Sequence, residues 1–179
     1  MDKKKTDDIN VDELKLDLHR AIMPKGTVLY RIVPRGQDPL KPTGRACRFA
    51  KEPPHYTHEE YAAAVDLGTA ALCGTGNLCF SPSIVTAQKE TGSDMDGRET
   101  YKITLQADIS VVDIESICKA AKVEKPYITE EQTEFWHKFY GRGVNGLRYP
   151  SAKNYEDYNI VIFPDNFSDY QKIFLTEKF

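Results

Sequence analysis

The chain has 179 residues, 40% of them apolar and 28% charged, with a formal net charge of −3. That length fits one domain, taken as residues 10–179 behind a disordered tail at 1–9, and the composition is that of an ordinary globular protein. The slight acidity argues against a nucleic-acid partner, since the one basic run, Lys3-Lys4-Lys5, is answered at once by Asp7 and Asp8.

No stretch approaches the ~20 apolar residues that a membrane span needs. No apolar segment follows the N-terminal lysines as it would in a secretion signal, so a cytoplasmic location is expected. The cysteines, Cys47, Cys73, Cys79 and Cys118, form no Cys-x-x-Cys pair, and His19, His55, His58 and His137 do not cluster with them. No metal site is expected, and the thiols are expected to be reduced.

In chain order, residues 11–22 read as a short helix, although the Leu14-x-Leu16-x-Leu18 alternation also fits a strand. Thr27 to Val33 is a strand, and Pro34 to Gly44 a loop rich in proline and glycine. Thr57 and Glu60 form a capping box for a helix that Gly68 stops. Leu78-Cys79-Phe80 is a short strand. Ser81 then caps a helix with Pro82 in its first position, and Gly92 ends it. Glu99 to Ala107 alternates as a strand, with Tyr101, Ile103 and Leu105 on one face. Ile109 to Val112 is another strand, and Asp113 caps a helix over 114–121. Thr129 caps a further helix with an aromatic stripe at Phe135, Trp136, Phe139 and Tyr140. Tyr158 to Phe163 and Lys172 to Leu175 are the last strands. Short strands mixed with short helices define an α+β or mixed α/β class.

Three positions carry candidate chemistry. Glu90 sits near the end of the helix after Phe80. A carboxylate there either is solvated or steadies an oxocarbenium ion, by the logic through which carboxylates flank a glycosidic bond. Arg31 shares a strand face with Leu29 and Val33, so its guanidinium either reaches water past a packed stem or turns into a polar cleft. A planar guanidinium matches two oxygens of a pyrophosphate. Arg45, Arg48, Arg142 and Arg148 are further cations beside turns. Ser151 follows Tyr149-Pro150, where it can turn the chain. No Gly-x-Ser-x-Gly elbow exists to make it a hydrolase nucleophile.

Taken together, these pieces resemble the RES family of NAD-consuming domains over residues 26–164. The matching elements are Tyr30-Arg31 on the first strand and Gly44-Arg45 in a loop, with Arg48-Phe49 as a competing alignment. Phe80-Ser81-Pro82-Ser83 then leads into Ala87-Gln88-Lys89-Glu90, and Pro150-Ser151-Ala152 precedes Asn159-Ile160-Val161-Ile162-Phe163-Pro164. Phe80 stands where many members of the family have tyrosine.

The resemblance implies an ADP-ribosyltransferase-like core of two small sheets with flanking helices. It implies cleavage of NAD, as substrate and not as cofactor, at the nicotinamide–ribose bond by hydrolysis or phosphorolysis, and action as a toxin restrained by an antitoxin or immunity protein. ADP-ribosyl transfer to a macromolecule and a non-catalytic interaction module are the alternatives. In the implied site Arg31, Glu90 and Ser151 are catalytic, with Glu90 bonding the ribose and stabilising the oxocarbenium ion and Ser151 orienting ribose or phosphate. Arg31 and Arg45 meet phosphate, Tyr30 or Phe80 packs on nicotinamide, and Ser81 or Ser83 bonds nicotinamide or ribose.

Overall fold

The structure, a computed structural model, describes residues 9–41, 78–92, 95–123, 139 and 144–179. Eight strands and two α-helices are present among these residues, in two sheets. The expected class, α+β with two small sheets and short helices, is the class observed.

Alternation of side chains creates the two-sheet arrangement. In β2 (Val28–Pro34) residues 29, 31 and 33 are buried and their neighbours are not. In β4 (Arg98–Leu105) Ile103 and Leu105 have no exposed surface. These strands and β8 (Phe174–Lys178) form an antiparallel sheet in the order β2-β4-β8. The larger sheet has the order β1-β5-β6-β7-β3, from β1 (Arg20–Met23), β5 (Ile109–Asp113), β6 (Gly146–Pro150), β7 (Tyr158–Ile162) and β3 (Leu78–Phe80).

Both faces of the larger sheet are apolar and carry separate cores. Val111, Ile160, Ile162 and Phe80 meet Leu29, Ile103, Leu105 and Phe174 of the smaller sheet. Val112, Leu147, Tyr149 and Val161 point the other way, onto Ile114, Ile117 and Cys118 of α2 (Ile114–Ala120). The pair β5–β6 is parallel, as a connection that returns through a helix requires. Asp113 caps α2 by accepting from the N–H groups of Glu115 and Ser116.

The sheets are joined where their edge strands meet. Tyr30 N donates to Ser81 O at 2.7 Å and Ser81 N to Tyr30 O at 2.9 Å. This bridge keeps Ser81 extended, which corrects the expected helix start. α1 (Ile84–Thr91) is capped by Ser83, whose Oγ accepts from Thr86 N at 3.1 Å, and Gly92 closes it with φ +91.

Residues 11–22 are also not the expected helix. They form two 3₁₀ turns, Val11–Glu13 and Leu16–His19, and then β1. The strand β6 was not expected at all. Of the expected tail, residues 1–8 lie outside the described residues, and Ile9 packs into the core at 4% exposure. The expected helices at 57–68 and after Thr129 lie outside them too, except Phe139, which is helical and buried. No helix among the described residues is long and apolar enough to cross a membrane.

Candidate active site

α1 follows β3 at the edge of the larger sheet, packs against β2, and reaches Ser151, Asp157 and Asn159 through side-chain hydrogen bonds. Glu90, in its last turn, is half-buried. Its Oε1 accepts a hydrogen bond from Ser151 Oγ at 2.5 Å and another from Asn159 Nδ2 at 2.6 Å. The first is in the range of a charge-assisted O–H bond to a carboxylate, and the second is at the short end for an N–H donor. Asn159 Oδ1 in turn accepts from Ser81 Oγ at 2.9 Å. Ser151, Asn159 and Ser81 are buried, at 0%, 5% and 5% exposure, so the carboxylate is the least enclosed member of the group.

Ser151 uses its hydroxyl both as donor and as acceptor. Its hydroxyl proton goes to Glu90, and its oxygen accepts from Lys153 N at 3.2 Å and Asn154 N at 3.0 Å. The serine therefore orients the carboxylate. With Oε1 occupied twice and Oε2 without a hydrogen-bond partner among the described residues, Glu90 has one fixed and one available oxygen.

A second polar group supports the same helix. Asp157 Oδ2 accepts from Thr86 Oγ1 at 2.5 Å and from Ser83 Oγ at 3.1 Å. Asn154 Nδ2 donates to Thr86 Oγ1 at 2.7 Å, and Lys89 Nζ donates to Asn154 Oδ1 at 3.1 Å. Ser83 thus serves as helix cap and Asp157 partner.

Arg31 lies on the adjoining strand β2 and is buried, at 5% exposure. Its Nη1 donates to Pro39 O at 2.5 Å and its Nη2 to Lys41 O at 3.1 Å, while the guanidinium carbon stands 5.8 Å from the Phe80 ring centroid. It fastens the 39–41 turn to the sheet. Phe80 is 2% exposed and packs against Phe174 with centroids 5.4 Å apart. The expectation that Phe80 offers its ring to nicotinamide is corrected: the ring is core. Tyr30 is half-buried, its ring 6.3 Å from that of Phe179. Arg148 is held by Asp113 at 2.5 Å and lies 5.4 Å from the Tyr158 ring centroid. Arg45 lies outside the described residues.

The structure therefore brings Glu90, Ser151 and Ser81 into one hydrogen-bonded group, places Tyr30 against Ser81 through the backbone, and sets Arg31 on the next residue. Asn159, Thr86, Asn154 and Asp157 were not singled out from the sequence. For Asn159 a signal existed, since an amide inside Tyr158-Asn159-Ile160-Val161-Ile162 must be buried and must find partners.

No family model matches the chain, and no curated protein matches it in sequence. Among solved structures the chain is similar to one in the crystal structure of the M. tuberculosis MbcT-MbcA toxin-antitoxin complex. The likeness has a TM-score of 0.56 and 11% identity, over 92% of this chain and 89% of that chain. At that identity it establishes a shared fold.

Proposed function

We propose that this chain is an NAD-degrading enzyme that breaks the nicotinamide–ribose bond and acts as the toxin of a toxin–antitoxin pair. One observation carries the reading: Glu90 is held through a single carboxylate oxygen by Ser151 and Asn159. The order of Arg31, Glu90 and Ser151 in the RES-like elements supports it, and so does the fold shared with a chain of a toxin–antitoxin complex.

In the proposed reaction the C–N bond to ribose breaks and its electron pair leaves with nicotinamide, which becomes neutral. The ribosyl cation that remains is stabilised by Oε2 of Glu90, a preorganised negative group aimed where positive charge develops. Water or inorganic phosphate then adds to the cation and releases a proton, giving ADP-ribose or its phosphate ester. Tyr30 is the ring assigned to the nicotinamide, and Ser81 supports the site through Asn159. Arg45 is the cation assigned to the pyrophosphate, and Arg31, buried and bonded to the carbonyls of Pro39 and Lys41, holds the adjoining turn instead of meeting phosphate directly. No cofactor enters these steps. The partner is an antitoxin protein, and NAD in the cytoplasm is the target.

The test is release of free nicotinamide from NAD by purified protein, with and without phosphate. Wild type is expected to release it and Glu90→Gln to lose most of the rate. Equal background rates in both proteins sink the proposal. In a bacterial host, induced wild type is expected to arrest growth and deplete NAD, and Glu90→Gln to do neither.

A further inference from the structure

Ser83, Thr86 and Glu90 recur at i, i+3 and i+7, so a single stripe of polar side chains runs down one face of α1. The turn between β6 and β7, residues 151–157, lies along that stripe. Two rungs join helix to turn. Glu90 meets Ser151 at the turn's start, and Thr86 meets Asp157 at its end, both at 2.5 Å.

The turn is closed on itself between the rungs. Ser151 N donates to Asp157 O at 3.0 Å, Asp157 N to Asn154 O at 2.9 Å, and Asn154 N to Ser151 Oγ at 3.0 Å. Asn154 Nδ2 completes the connection to Thr86. Thr86 has no exposed surface, so its hydroxyl meets these partners and not water.

We propose that Thr86 and Asp157 are positioning residues that set the Ser151–Glu90 contact by clamping the 151–157 turn onto α1. The inference rests on the reading of Glu90 as the group that meets the ribosyl cation. Ser151 is the first residue beyond β6, and a clamp at the far end of a closed turn fixes its hydroxyl relative to the helix. A misplacement near 1 Å is enough to cost on the order of 100-fold in rate.

The experiment compares Thr86→Val, which keeps shape and removes the hydroxyl, with Thr86→Ser, which keeps the hydroxyl. Steady-state nicotinamide release and backbone amide exchange are both measured. Thr86→Val is expected to lower kcat by roughly tenfold or more, with KM for NAD changed less than about threefold. The amides of Ser151 and Asn154 are expected to exchange faster, while those of β2 and β4 keep their protection. Thr86→Ser is expected to recover both readouts. If Thr86→Val keeps the wild-type kcat, or Thr86→Ser is as impaired as Thr86→Val, the clamp is overturned. If wild type releases no nicotinamide, the functional reading fails by itself and exchange decides the clamp. Faster exchange at Ser151 and Asn154 in Thr86→Val upholds it, and unchanged exchange overturns it.

Discussion

At Glu90 both hydrogen bonds arrive on Oε1, from a hydroxyl and an amide that are themselves buried. A negative charge in the last turn of a helix opposes the helix dipole by about 0.3–1 kcal/mol, and these two bonds offset that cost. The setting makes sense when the carboxylate has to present its other oxygen in one direction. Glu90→Gln keeps the shape and removes the charge, and nicotinamide release is expected to fall on the order of 100-fold or more. Ser151→Ala removes one of the two orienting donors and leaves the charge. It is expected to cost roughly tenfold in kcat with a smaller change in KM, as for an interaction that matters most in the transition state. A Ser151→Ala protein as slow as Glu90→Gln would mean that the serine does more than orient the carboxylate.

At the scale of elements, β8 and α2 each carry a checkable consequence. β8 is held to β4 by Glu99, which accepts from Lys178 Nζ at 2.6 Å and Gly36 N at 3.3 Å, and from the Tyr101 hydroxyl at 3.1 Å. The hydrogen bond from Lys178 and that from the Gly36 N–H hold the Glu99 carboxyl below its ordinary range, and the same carboxylate holds Lys178 above its own. A depressed acid stabilises the fold above its unfolded pKa and loses that contribution as pH falls through the folded value. A raised lysine stabilises below its unfolded pKa and loses it as pH rises through the folded value. Thermal melting of wild type is therefore expected to fall more steeply than that of Glu99→Gln between about pH 6 and pH 3. Parallel curves would show that the tie adds no pH dependence. In α2, burial, with Glu115 adding to it, pushes the Cys118 thiol up to about 11. Near pH 8 almost no thiolate is present, so iodoacetamide is expected to leave Cys118 unmodified in native protein and to label it in urea, read by peptide mass spectrometry.

The same elements show what a sequence carries. Alternation over Leu29, Arg31 and Val33 and over Ile103 and Leu105 matched burial, because period-2 patterning reports directly on a two-faced sheet. β6 was missed because Gly146, Arg148 and Pro150 are weak strand residues, and the segment becomes a strand through pairing with β5 and β7. The helix start was misplaced by two residues because Ser81 and Ser83 are equally good caps. Only the long-range bridge to Tyr30 chooses between them. In the site, Glu90 and Ser151 were visible through ordered short motifs, whereas Asn159, Thr86 and Asp157 act through contacts 69–74 residues apart in sequence, which no local pattern records.

For the whole molecule, the decisive junction is the packing of β6 on β7. Ser151 follows the end of one strand and Asn159 lies within the other, so the two donors to Glu90 are aligned only if these strands keep their register, Leu147 opposite Val161 and Tyr149 opposite Asn159. At Gly146 the neighbouring strand leaves no room for a side chain. A Cβ there would collide with the Val161 carbonyl oxygen and stand 3.0 Å from Ile162 Cδ1 and 3.2 Å from Ile162 Cα. Two of these are backbone atoms that cannot step aside, so Gly146→Ala must push the strands apart. Overpacking of this kind costs about 1–3 kcal/mol, and here it acts at the base of the strand that delivers Ser151. Gly146→Ala is expected to lower the melting temperature and also to slow nicotinamide release per folded molecule, measured below the new transition. Val85→Ala, an exposed change on α1, is expected to shift the melting temperature little. A Gly146→Ala protein that melts with wild type and turns over at its rate would show that strand separation at Gly146 does not set the Glu90 donors.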